Sequence, residues 1–134
     1  MAALECMICT PCGPIRFFSI HLAHIGVGER LEQIDFLLDH HHWSPFEVGP
    51  WSGKYDEAHR KWTGSETEPE CPFAVIWMGD FNSEPGSAEY RRITGEAPYY
   101  AGATYYQSFA DAAICAGLPA HALHTHEKLI GGTM

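Results

Sequence analysis

Two runs of strand-forming residues, "ALECMIC" and "IRFFSIHL", stand on either side of "TPCGP", a cluster of two prolines and a glycine. Proline presets φ and glycine admits positive φ, so such a cluster turns a chain back on itself. The pattern predicts a β-hairpin with strands at residues 3–9 and 15–22. The strongest helical stretch follows as "GERLEQIDFLLDHHHW". There Leu31, Ile34, Leu37, Leu38 and His41 recur at the i, i+3, i+4 spacing of one buried stripe. Gly28 is placed to cap its start, and Glu29 suits the positive end of the helix dipole. His40, His41 and His42 close the last turn, where histidine is favourable. Consecutive helical residues point in different directions, so this run makes a poor metal chelate.

A third apolar run, "FAVIWMGDFN", predicts a strand over 73–79 that runs into a loop. "SAEYRRITG" reads as a short helix with Ser87 as cap and Gly95 as stop. "ATYYQSFADAAICAGL" alternates at first, then reads as a helix from Asp111 to Gly117. Residues 43–72, rich in Pro, Gly and charge, form a long connection with a short helix around Tyr55–Trp62. Trp43, Trp51, Tyr55 and Trp62 are read as anchors of that connection, with a substrate entrance as the alternative. No internal repeat or low-complexity segment is evident. Strands and helices alternate, which places the chain in the α/β or α+β class.

At 134 residues the expectation is one domain or part of a larger one. A hydrophobic fraction of 46% is enough to bury a core. No apolar run approaches a transmembrane length, and no signal peptide shows, so a cytoplasmic protein is the default expectation. Seventeen acidic against eight basic residues give a net charge of −9. This argues against a broad nucleic-acid surface, which needs basic patches. A phosphate substrate stays open, since a divalent cation supplies positive charge locally. Five cysteines, an odd number, point to free thiols in a reducing compartment. Cys6, Cys9 and Cys12 contain a C-x2-C half-site, but Cys71 and Cys115 form no second pair. They are therefore read as small apolar residues around the turn. A zinc- or thiol-dependent protein, which would carry stoichiometric zinc, is the weakest function class.

The chemistry concentrates at strand ends. Asp80 and Asn82 are two residues apart, so both project to one side where the third strand ends. Gly79 leaves room there for a ligand or another backbone. An ionised Asp is a hard oxygen ligand suited to Mg2+. Asn carries a donor beside an acceptor, and can hold a phosphate oxygen or orient a water. The same pair also suits a simple Asx-turn ahead of Pro85-Gly86. His21 ends the second strand, and histidine is the side chain best placed to move a proton near neutral pH. His24 follows three residues later, either beside it or as a loop residue.

"GDFNSEPGSAEY", "IRFFSIHLAH" and "SFADAAICAG…HTH" together resemble the endonuclease/exonuclease/phosphatase superfamily, over about Ala3 to Thr125. G-D-F-N is the specific element of that likeness. The resemblance implies a DNase I-like α/β sandwich of layered sheets flanked by helices. It implies a metal-dependent phosphoesterase in which an activated water attacks in line, with Mg2+ or Mn2+ as cofactor. Asp80 becomes the carboxylate near the metal, Asn82 the holder of the scissile phosphate, and His21 the phosphate-contacting or proton-transferring group. Asp111 and Thr125 match secondary positions, either structural or supporting the residues that touch the phosphate. The implied substrate is a phosphate ester: nucleic acid, a phospholipid headgroup or a small phosphoester.

The family also uses an early Asn and a Q-E Glu, a later Asp and a final S-D-H, none of which matches residues here. The expectation is a partial domain whose activity needs those segments. The alternative is a non-catalytic binding module, self-associating through an exposed sheet surface.

Overall fold

The structure is a computed structural model describing residues 1–47, 71–95, 98–99, 103–104 and 109–118. The expected helix at Tyr55–Trp62, the roles of Trp51, Tyr55 and Trp62, and Thr125 lie outside the described residues. The chain divides into two compact units, Met1–Asn82 and Ser83–Met134.

Among the described residues, the first unit has a three-stranded sheet and one helix. Strands β1 (Ala2–Thr10) and β2 (Gly13–His21) form the hairpin, and β3 (Val75–Asp80) lies on the far side of β2. The first pair is antiparallel and the second parallel. A parallel neighbour requires the chain to cross back over the sheet. Helix α1 (Val27–Trp43) lies on that crossover. This is a mixed α/β arrangement built on an open sheet.

The hairpin is longer than the sequence pattern predicts. Pairing continues to Thr10 and Gly13 because the turn is only Pro11-Cys12. The Thr10 hydroxyl closes it, accepting from Cys12 N at 3.2 Å and donating to Gly13 O at 2.7 Å. Gly13 sits at φ 110°, which the absence of a Cβ permits. β3 begins two residues later than expected, at Val75.

Alternation sorts the side chains of the sheet onto two faces. Phe18 and Ile20 of β2, Leu22 just beyond it, and Ile34, Leu37 and Leu38 of α1 form the core, each at most 2% exposed. Burial of a side chain this size stabilises by about 1.5–3 kcal/mol. The helical stripe holds as predicted except at Leu31, which is half-buried; Arg30 is buried instead. The helix also begins earlier than Gly28, with Gly26 as N-cap, because Arg30 N finds its partner in Gly26 O.

One buried polar cluster joins helix to sheet. Arg16, fully buried, donates from Nη1 to Glu5 Oε1 at 3.3 Å and from Nη2 to His41 O at 3.0 Å. Nη2 also bonds His41 Nδ1. Arginine only donates, so Nδ1 is the lone-pair acceptor and His41 is neutral. Burial, followed by the Arg16 charge, lowers the His41 pKa to about 4. His40 Nε2 meets the other Glu5 oxygen at 2.8 Å. Trp77 of β3 and Phe18 complete the surroundings with edge-on ring contacts to His41 and His40. The three histidines therefore stand in the last turn as expected, but two of them bolt the helix to β1 and β2.

The opposite sheet face carries Leu4, Ile8, Ile76 and Met78, exposed at 70, 44, 43 and 46%. Cys6, Cys9 and Cys12 lie in or near the turn as expected, but all three are exposed and do not serve as buried apolar residues. Cys6 lies on the apolar face in register with Phe17, and Cys12 lies in the two-residue turn. All five cysteines are free thiols.

In the second unit, α2 (Ala88–Thr94) is bounded as predicted. The Ser87 hydroxyl accepts from Tyr90 N, and Gly95 closes the helix at φ 76°. Short strands β4 (Pro98–Tyr99) and β5 (Ala103–Thr104) pair antiparallel. Helix α3 (Ala112–Cys115) is shorter than the predicted 111–117 because Gly117, at φ 72°, ends it. Asp111 is its N-cap, accepting from Ala113 N at 2.8 Å and Ile114 N at 3.3 Å, while Oδ2 accepts from the Tyr90 hydroxyl at 3.1 Å. Among the described residues no helix is long and apolar enough to cross a membrane.

Candidate functional site

The parallel register pairs His21 with Asp80. Two polar groups from the ends of adjacent strands, far apart in sequence, thus stand side by side on the face opposite α1. Both are exposed. The main chain stitches the strand ends together, with Leu22 N donating to Asp80 O at 3.0 Å.

The loop after β3 is shaped by its own side chains. Asp80 Oδ1 accepts from Asn82 N at 2.9 Å, so the Asx-turn reading is realised. Asn82 takes the left-handed conformation at φ 47°, which asparagine tolerates better than most residues. Its Nδ2 then donates to Leu22 O at 2.9 Å. His24 Nδ1 lies 3.4 Å from Asn82 Oδ1. The turn and a chemical role are compatible, because Oδ2 of Asp80 accepts no hydrogen bond among the described residues.

The loop after β2 is held from the helix. Ala23 N donates to Gln33 Oε1 at 2.9 Å, and Gln33 Nε2 in turn donates to Glu29 Oε1 at 3.1 Å. Arg30 Nη1 donates to both Ala23 O and His24 O at 3.3 Å. The first turns of α1 therefore hold the main chain at Ala23 and His24. A site carried on packed elements holds its geometry better than one on a free loop.

The structure brings together all three residues expected to act, His21, Asp80 and Asn82. It adds His24, with Arg30 and Gln33 behind it. Sequence reasoning places His24 only as a neighbour of His21. The signal for the supporting pair is that Arg30 and Gln33, three apart on α1, share a face. Gly79 resolves its own ambiguity: a Cβ there would lie 2.0 Å from Ile20 O, so the glycine makes room for backbone.

The donor set sets a limit on metal binding. Among the described residues no group of three His, Cys, Asp or Glu side chains could hold a metal ion. Asp80 offers a single carboxylate oxygen, with His21 as its partner in the register. That suits a hydrated Mg2+, which is bound through one or two carboxylates plus substrate phosphate. It does not suit a closed zinc site, which needs four protein ligands. Comparison with protein-family models, curated proteins and solved structures finds no match.

Proposed function

We propose that this chain is part of a metal-dependent phosphoesterase that hydrolyses a phosphodiester or phosphomonoester with an activated water, its activity drawing also on the Q-E and S-D-H segments of that family. The observation that carries the reading is the register pairing of His21 with Asp80, with Asn82 turned back beside them. The G-D-F-N resemblance supports it, and the DNase I-like α/β sandwich is part of the same proposal. Asp80 Oδ2 is the oxygen that would hold Mg2+ or Mn2+. Such an ion, when bound, stabilises charge on the phosphoryl group. Asn82 keeps one Nδ2 hydrogen for a phosphoryl oxygen, since Leu22 O takes the other. His21 is the proton-transferring group. A net charge of −9 favours a small phosphoester or headgroup over long duplex DNA.

Hydrolysis of bis-p-nitrophenyl phosphate by the chain, supplied with those segments, is expected to require Mg2+ and to fall about 100-fold in Asp80→Asn. Independently, Mn2+ is expected to broaden the amide resonances of residues 21–24 and 79–82, and Asp80→Asn to abolish that broadening. If Asp80→Asn alters neither, the reading fails.

A second reading is a non-catalytic binding module. The exposed apolar face of Leu4, Ile8, Ile76 and Met78 favours it. It expects a concentration-dependent dimer in sedimentation that Ile8→Lys with Met78→Lys dissolves; a monomer at every concentration removes it.

A further inference from the structure

Two histidines flank the G-D-F-N residues, and the phosphoesterase reading gives work to only one of them. His24 lies beyond the strand end and is exposed. Its main chain is nevertheless held, with the carbonyl bound by Arg30 and the preceding residue bound by both Arg30 and Gln33. Its ring faces the amide of Asn82.

The amide can take only one orientation. A carbonyl oxygen only accepts, so the Asn82 atom 2.9 Å from Leu22 O is Nδ2. Oδ1 therefore faces His24. An amide oxygen also only accepts, so the His24 nitrogen 3.4 Å away carries the hydrogen and donates. Without His24, the amide keeps its Leu22 bond but loses the contact that stops it from rocking about that bond.

We propose that His24 is a positioning residue of this site, locking the Asn82 amide so that its remaining N–H is preset for a phosphoryl oxygen of the substrate. The proposal rests on the phosphoesterase reading for the identity of the substrate, and on the hydrogen-bond geometry for the lock itself. Nδ1 donates to Oδ1 in the Nδ1–H tautomer. Positioning through that contact needs no proton to leave the imidazole, which separates it from acid–base work by the same ring.

The test uses three forms of the chain: wild type, His24→Ala and His24→Asn. Asparagine places an amide N–H where Nδ1 stands. In a 15N-labelled chain, His24→Ala is expected to move the paired side-chain NH2 resonances of Asn82, and His24→Asn to return them toward the wild-type position. In hydrolysis of bis-p-nitrophenyl phosphate with Mg2+ and the Q-E and S-D-H segments supplied, His24→Ala is expected to lose about tenfold in kcat/KM, mostly in kcat, and His24→Asn to recover it with the wild-type pH profile. Asn82 resonances that stay in place in His24→Ala overturn the proposal. So does a limb of the pH profile that disappears in His24→Asn, which would make His24 an acid–base group. Asp80→Asn run alongside keeps the questions apart. If it leaves hydrolysis unchanged, the phosphoesterase reading falls, while the resonance measurement still decides the lock.

Discussion

Gly79→Ala is expected to destabilise the first unit by about 3 kcal/mol or more. Gly79 is paired with Ile20 in the parallel register and sits at φ 133°, a region closed to L side chains. An added Cβ would lie 2.0 Å from Ile20 O and 2.8 Å from Ile20 N. These are backbone atoms of a hydrogen-bonded strand, so no rotamer change relieves the clash. The strand ends must separate, and the separation falls one residue before Asp80. Domains of this size are stable by only about 5–15 kcal/mol, so the loss is a large share of the total. Urea unfolding of Gly79→Ala beside Gly86→Ala checks it. Gly86 also has positive φ, at 78°, but a Cβ there meets nothing within 4 Å, so its substitution carries only the conformational penalty of about 1 kcal/mol. Equal costs at the two glycines would show that the close approach of β2 and β3 is not what Gly79 provides.

Acidification is expected to release the C-terminal end of α1. The His41 pKa falls from 6.5 to about 4 in the folded chain, through burial and then the Arg16 guanidinium. His42 and His40 lower it further and Glu5 raises it. Between these values the unfolded chain binds the extra proton and the folded chain does not. Stability from this group is therefore complete above about pH 6.5 and lost progressively as pH falls toward 4. The full loss is about 3 kcal/mol. The structure explains the direction: a protonated Nδ1 would point a donor at a donor and set two cations together without water. His41→Asn keeps an acceptor at the position of Nδ1 and has no proton to gain. It is expected to flatten the pH dependence of stability between 6.5 and 4, measured by denaturant midpoints at each pH. An unchanged slope in His41→Asn would place the acid sensitivity elsewhere.

The two results bear on different ends of the sheet. Gly79 lies beside the candidate site. His41 lies at the other end of α1, whose first turns hold His24. The helix thus connects an acid-sensitive anchor with the loop that positions Asn82.

Local patterns in the chain account for much of this fold. Short-range chemistry decides the hairpin turn, the spacing of the α1 stripe, the Ser87 cap and the Gly95 stop, and each is legible because the residues that set it lie close together in the chain. The Asx-turn at Asp80 belongs to the same class. Where reading and structure part, a distant partner intervenes. Arg16 reads as one basic residue in a strand, yet it is fully buried because Glu5 and His41 reach it from another strand and a helix. The histidine run reads as a favourable last turn, and its role as an anchor depends on which strand lies beneath.

By itself the sequence determined the hairpin, α1, β3 and α2 in outline, the Ser87 cap, the Gly95 stop and the polar residues at the strand ends. Only the tertiary structure decided that His21 stands opposite Asp80, that Gly79 passes against Ile20, and that His24 faces the Asn82 amide. Register between parallel strands is set by core packing across a long connection, and a one-residue slip would turn every side chain to the other face. That geometry is cooperative and non-local, so no single stretch of the chain contains it.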